Sequence, residues 1–179
     1  GDVAAERMRS SIADHVASVQ IEFSLQSDAG LTYGGWNIDD VELYYQSSCS
    51  PVCTPPSAYC TAKLTSGNTL PTVGFTGGNT VTQNNFSVTL GNAIGASQTI
   101  CFWSNGQNTA PFKGGILCVQ QPLNRLPATQ TDLNGNASIA VPIDGSMVGT
   151  TRNYQWWFRD PFDTYTIGLS GGLTATFCQ

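Results

Sequence analysis

The residues of this chain that could do chemistry fall into a few sets. Gly168-Leu169-Ser170-Gly171-Gly172 has the Gly-x-Ser-x-Gly spacing of a nucleophile elbow, in which a serine on a sharp strand-to-helix turn is held clear of the backbone. Its surroundings argue otherwise. The residues that follow, Leu173–Phe177, alternate as a strand does, and the only histidine, His15, lies far upstream. A glycine-rich hairpin turn is the expected structure there. Asp160 and Asp163 could form a paired-carboxylate site, since a glycosidase places one acid on each side of the bond it breaks. Within Arg159-Asp160-Pro161-Phe162-Asp163 they read instead as turn formers after a strand, with Asp160 expected to bridge to Arg159 or Arg152. Trp156 and Trp157 are adjacent on a predicted strand and must point to opposite faces, so one can enter a core while the other lies outside. An exposed indole among Asn, Gln and Thr can stack on a sugar ring while the amides bond its hydroxyls. Trp103 with Asn105, Gln107 and Asn108 is a similar set. Trp103, Asn105 and Trp157 are therefore the candidate ligand-binding residues. The simpler and favoured reading is that these indoles pack in a core or between domains. Metal-protease, P-loop and dinucleotide-binding motifs are absent, so no catalytic residue is assigned. The chain is expected to be a non-enzyme, an accessory fragment of a secreted hydrolase being the distant alternative.

The six cysteines are a further set: Cys49, Cys53, Cys60, Cys101, Cys118 and Cys178. An even count in a Lys-poor, Thr- and Asn-rich chain predicts disulfides formed outside the cytoplasm, at the cell surface or beyond it. Zinc is the competing reading. Cys49-x3-Cys53 could supply two ligands, but the remaining cysteines are far apart. If Gln98–Ser104 and Gly115–Val119 form a hairpin around a loop Asn105–Gly114, Cys101 faces Cys118 at a separation that a disulfide spans. Cys60 and Cys178 would tie the first strand of the downstream domain to its last, and Cys49 and Cys53 would staple a linker. The expected pairs are Cys49–Cys53, Cys60–Cys178 and Cys101–Cys118.

These residues sit in a chain of 179 residues with only 11% Asp, Glu, Lys and Arg, where an average soluble domain has about 25%. That excludes a coiled coil or helical bundle, whose outer faces need those residues. A hydrophobic share of 40% is too high for a disordered tail. No run of apolar residues is long enough for a membrane helix, and a net charge of −5 argues against nucleic-acid binding. The charge is unevenly placed. Eight acids lie at or before Glu42 against Arg7 and Arg9, so residues 1–46 carry −6 and the remainder +1. Residues 47–57, rich in Ser and Pro, read as a linker between a piece at 1–46 and a domain at 58–179. Gly1–Glu6 shows neither the basic start nor the apolar run of a signal peptide, so a mature product or an excised piece is expected.

Downstream of the linker the hydrophobic period is two. Phe86–Leu90, Ala137–Val141 and Leu173–Phe177 alternate, and Tyr59–Leu64, Thr72–Phe75, Gln98–Ser104, Gly115–Val119 and Tyr154–Phe158 are further predicted strands. Gly77-Gly78-Asn79, Asn105-Gly106, Asn134-Gly135 and Asp144-Gly145 separate them. The fold class is all-β: an antiparallel, immunoglobulin-like β-sandwich. In residues 1–46, Val19–Leu25 and Val41–Tyr45 read as strands, and the spacing of Val3, Met8, Ile12, Val16 and Val19 approximates that of a short helix. Two strands alone cannot bury both their faces.

The run Ser18–Leu43, with Gly34-Gly35-Trp36-Asn37-Ile38-Asp39-Asp40-Val41, resembles the final strands of MAM-like jelly-roll modules in secreted bacterial proteins, including immune-inhibitor-A-type metallopeptidases. Only the last strands of such a jelly roll are present. The resemblance implies that the sandwich is preceded by partial jelly-roll strands completed from elsewhere. It also implies a structural Ca2+ with Asp39 and Asp40 as ligands, against the simpler reading of turn acids; no other cofactor is expected. Tyr59–Cys178, from Tyr59-Cys60-Thr61-Ala62-Lys63 through Tyr154-Gln155-Trp156-Trp157-Phe158-Arg159-Asp160-Pro161 to Phe177-Cys178, resembles the carboxy-terminal domains of large secreted planctomycete-type surface proteins. That resemblance implies an exported module and no activity. Two functions are expected: an adhesion, attachment or glycan-binding module of the cell surface, or a structural subunit of a filament or array. The partners would be a glycan or further copies of the chain, without nucleic acid or membrane insertion.

Overall fold

The computed structural model describes Cys53–Gln179. These residues belong to the second of two units into which the chain divides, Gln46–Gln179. The jelly-roll strands expected in residues 1–46, the Asp39 and Asp40 site, and Cys49 lie outside the described residues.

The described part is an antiparallel β-sandwich. Its strands are β1 (Ser57–Tyr59), β2 (Thr72–Thr76), β3 (Ser87–Gly91), β4 (Gln98–Ser104), β5 (Gln107–Phe112), β6 (Gly115–Val119), β7 (Asn124–Arg125), β8 (Thr129–Gln130), β9 (Ala137–Ala140), β10 (Thr151–Arg159) and β11 (Ile167–Thr176). The large sheet runs β1-β11-β10-β4, with β7 and β8 both on the free edge of β4. The small sheet runs β2-β3-β9, and β5 and β6 form a separate hairpin.

Period-two alternation makes this architecture. On β3, Val88 and Leu90 are buried while Ser87, Thr89 and Gly91 are partly exposed. On β10, Tyr154, Trp156 and Phe158 turn toward the small sheet and are fully buried. They meet Phe86, Val88 and Leu90 from the small-sheet side and Leu173, Ala175 and Phe177 from the end of the chain. Phe86 lies edge-on to Phe177, with ring centroids 5.6 Å apart. Burying one large side chain of this kind stabilises the fold by about 1.5–3 kcal/mol.

Three expectations are corrected. First, Gln98–Ser104 and Gly115–Val119 are strands with the expected bounds but do not pair with each other. β4 pairs with β10, whereas β6 pairs with β5, formed from the segment expected to be a loop. A tight turn at Lys113 (φ 48°) and Gly114 (φ 76°) joins β5 to β6, where the second position favours glycine. β5 carries no alternation, because most of its residues are exposed and it has only one neighbouring strand.

Second, the disulfides are Cys53–Cys178 and Cys60–Cys118, with Cα separations of 5.9 and 6.0 Å. The expected Cys49–Cys53, Cys60–Cys178 and Cys101–Cys118 are not formed. The reason lies in which face each residue takes. Cys101 opposes Trp156 and points into the main core, while Leu117 and Val119 of β6 pack on the opposite face against Phe102. A sheet separates the two sulfurs. Cys101 is a buried free thiol whose pKa burial pushes up. Cys53–Cys178 also draws residues 53–57 into the sandwich. Pro56 is buried, and the Thr54 carbonyl accepts from Asn79 Nδ2 at 3.0 Å.

Third, Gly168–Gly172 is the middle of a strand rather than a turn. A Cβ on Gly168 would lie 2.1 Å from the Phe158 ring, and one on Gly172 2.4 Å from the Tyr59 ring. These glycines make room for aromatic rings. β11 carries one extra residue between Leu169 and Gly172 relative to β10, a bulge centred on Ser170 and Gly171. At the other end, the predicted strand Tyr59–Leu64 is cut short: β1 ends at Tyr59 and Cys60 turns away at φ 64°.

Candidate functional site

The candidate ligand residues lie on opposite faces of the large sheet. Trp103 opposes Tyr154 and faces the main core, whereas Trp157 opposes Ile100 and Leu169 and faces the β5–β6 hairpin. The Arg152 guanidinium lies 3.9 Å from the Trp103 ring centroid, so a cation already occupies that indole face. Asn105 is exposed in the turn after β4, and its carbonyl accepts from Asn153 Nδ2 at 3.1 Å. Trp103 and Asn105 are thus neighbours at one strand end, and Trp157 is not part of the same site. Of the two adjacent indoles, Trp156 is fully buried and Trp157 half-buried, the division their alternation predicts.

The hairpin face is assembled around Gln155, a fully buried amide. Its Oε1 accepts from Cys118 N at 2.9 Å, and its Nε2 donates to Ile116 O at 2.9 Å and Ser170 O at 2.7 Å. The side chain therefore bonds the edge of β6 as a neighbouring strand's peptide would. Two further ties hold β6: the Cys60–Cys118 bridge and the Tyr59 hydroxyl, which donates to Cys118 O at 2.8 Å. Burial pushes the Tyr59 phenol up to about 12. Ser170 accepts from Trp156 N at 2.9 Å and donates to Gly171 O at 2.7 Å. It is a buried bulge residue with a structural job.

Beside the hairpin the sheet is not fully covered. An apolar recess of about 300 Å³ remains, with Ile100, Phe102 and Trp157 as its floor. Leu117 and Phe112 form the hairpin wall, and Leu123 and Arg125 face them. A second, shallower groove of about 520 Å³ crosses the small sheet, lined by Thr72, Thr89, Ser138, Asn136 and Asp132. The Asp132 carboxylate accepts from Asn136 N, Asn136 Nδ2 and Asn134 N, bonds that hold its pKa below the usual value.

The paired acids serve as loop anchors. Asp160 accepts from the Ser66 amide at 2.8 Å and from the Ser66 hydroxyl, in place of the expected bridge to Arg159 or Arg152. Asp163 pairs with Lys63, which is buried and also donates to Lys113 O at 2.8 Å and Ile167 O at 2.9 Å. Burial opposes the Asp163 charge, but the bond and charge of Lys63 and the Tyr165 amide outweigh it and hold the pKa low.

These bonds gather several loops at one pole of the sandwich. Ser66 meets Asp160, Thr69 Oγ1 donates to Asn92 O, and Ala96 N donates to Asp132 O. Lys63 and Lys113 both approach the Tyr165 ring. The same loops carry Leu64, Leu70, Leu133, Phe162 and Tyr165, all exposed, Leu133 and Phe162 at 88% and 90%.

Sequence reasoning missed Gln155, Lys63, Arg125 and the apolar loop tips. Gln155 had a signal: a lone amide between Tyr154 and Trp156 on the face that the core does not claim. Among the described residues no three His, Cys, Asp or Glu side chains cluster as metal ligands, and no helix is long and apolar enough to cross a membrane. Comparison with known families, curated proteins and solved structures finds no match to this chain.

Proposed function

We propose that the chain is a non-catalytic extracellular surface module for adhesion or attachment, and that it makes contact through the loop pole. The observation that carries this is the set of exposed apolar side chains, Leu64, Leu70, Leu133, Phe162 and Tyr165, on loops anchored to a disulfide-pinned frame. Clustered exposed apolar side chains mark interaction surfaces, and loops on a rigid scaffold are where such surfaces are built. Two disulfides favour an oxidising compartment. Glycan binding has less support. Arg152 covers Trp103, and Trp157 lies in a recess lined mainly by apolar side chains, with Gln121 and Arg125 the only other hydrogen-bonding side chains.

Beads coated with the full chain are expected to attach to apolar and cell-envelope surfaces. Leu133→Ser with Phe162→Ser should cut attachment at least tenfold while changing stability by no more than about 0.5 kcal/mol, as both side chains are in solvent. Equal attachment by the variant counts against the reading.

Assembly into a filament is the second reading. It is favoured by the small sheet, in which β2 and β9 each have one strand neighbour among the described residues. Size-exclusion chromatography of the full chain over a wide concentration range tests it, and a monomer throughout would sink it.

A further inference from the structure

The recess beside the β5–β6 hairpin has two chemically different ends. Its interior is apolar and aromatic, with Phe102, Phe112, Leu117 and Trp157 around a volume of about 300 Å³. That is the small end of the range for ligand sites, which are mainly apolar with a few placed polar groups. Trp157 is only half-buried on the floor, although its neighbour Trp156 is fully enclosed.

Arg125 supplies the polar end. It opposes Phe102 across the β4–β7 pair, so its side chain leaves the same face of the sheet, and it lines the recess while remaining exposed. The described residues contain four acids, and each is held elsewhere: Asp132 by Asn134 and Asn136, Asp144 by Ser146, Asp160 by Ser66 and Asp163 by Lys63. Among the described residues, Arg125 has no ion-pair partner. A guanidinium presents two parallel N–H donors that match a carboxylate. An incoming anion would complete that pair, and an aromatic body would pack among the three rings of the recess.

We propose that this recess binds a small aromatic carboxylate, its ring against Phe102, Phe112 and Trp157 and its carboxylate on Arg125. This goes beyond the attachment reading and does not depend on it, because the loop pole and the recess use different residues.

The test titrates the full chain with 1-naphthoate and, separately, with 1-naphthalenemethanol, the neutral compound with the same ring system. Tryptophan fluorescence and calorimetry report binding. The expected result is saturable 1:1 binding of the acid, at least tenfold tighter than the alcohol. Arg125→Ala should weaken the acid at least tenfold and leave the alcohol unchanged, and Arg125 is exposed, so the variant keeps its fold. Leu123→Trp, which fills the recess, should remove both. No saturable binding at millimolar acid would overturn the proposal. So would equal affinity for acid and alcohol, or acid binding that neither substitution alters. None of these results changes bead attachment, so the two readings fail separately.

Discussion

The two faces of the large sheet are closed in different ways. Toward the small sheet, Tyr154, Trp156 and Phe158 of β10 pack against Phe86, Val88 and Phe177, and the centre of that face is closed by apolar contact, with hydrogen bonds from Asn79 and Val81 only at the end of the chain. Toward the hairpin, the same strand offers Asn153, Gln155 and Trp157, and a smaller apolar cluster of Phe102, Leu117 and Val119 is supplemented by one buried amide, one disulfide and one tyrosine hydroxyl. Apolar packing is non-directional and fills space. Hydrogen bonds and a disulfide fix a flap at chosen points and leave room between them. The difference accounts for where the recess lies: the packed face builds the domain, and the pinned face keeps the recess.

Truncating the two adjacent indoles tests that contrast with the largest expected effect. Trp156→Ala should cost about 3–5 kcal/mol, as for a fully buried aromatic. Trp157→Ala should cost less, about 1–2 kcal/mol, since part of its surface is already in solvent. Urea unfolding of both variants measures the gap, and equal losses would remove the distinction between the faces.

A smaller effect is expected from Gln155→Leu. The side chain fits by size but leaves Cys118 N and Ile116 O without their amide partner, costing about 1–3 kcal/mol. Amide exchange should rise at residues 115–119 and stay slow in β3. A uniform rise along the chain would contradict the assignment of Gln155 to the flap.

The smallest effect concerns the Lys63–Asp163 pair that anchors the loop pole. The folded-state pKa of Asp163 lies below its ordinary value of 3.8. Its contribution to stability is therefore present above that value and is lost as pH falls through the lowered one. Thermal melting of the wild type should drop on acidification from pH 7 to pH 3 by more than that of Asp163→Asn. The variant retains some dependence, because Asp132 and Asp144 are also held low. Identical acid sensitivity would show that the pair does not anchor the pole.

Much of the packed face was legible in the sequence. Alternation picks out Phe86–Leu90 and Leu173–Phe177 because an apolar core claims every second residue. The bounds of β4 and β6 match the predicted strands Gln98–Ser104 and Gly115–Val119, which turn signals delimit. The pinned face left weaker signals. β5, Gln-Asn-Thr-Ala-Pro-Phe, shows no period because one edge and much of its surface meet solvent. Gly168–Gly172 looks like a turn until the Phe158 and Tyr59 rings that occupy the glycine positions are known. The disulfide pairing is not legible in the sequence because the choice between partners depends on which face of the sheet Cys101 takes, and that follows from pairing β4 with β10 rather than with β6. Of the candidate ligand residues, Trp157 sits in the recess, whereas Trp103 is covered by an arginine 49 positions away in the chain, which spacing cannot reveal.

Residue-resolved hydrogen exchange on Cys60→Ala/Cys118→Ala tests most directly the claim that the hairpin is a flap pinned to an independently closed sandwich. The account predicts that the β5–β6 amides lose protection by at least tenfold, while β3, β9 and the core side of β10 keep theirs relative to global unfolding. Loss of protection in step across both faces would contradict it.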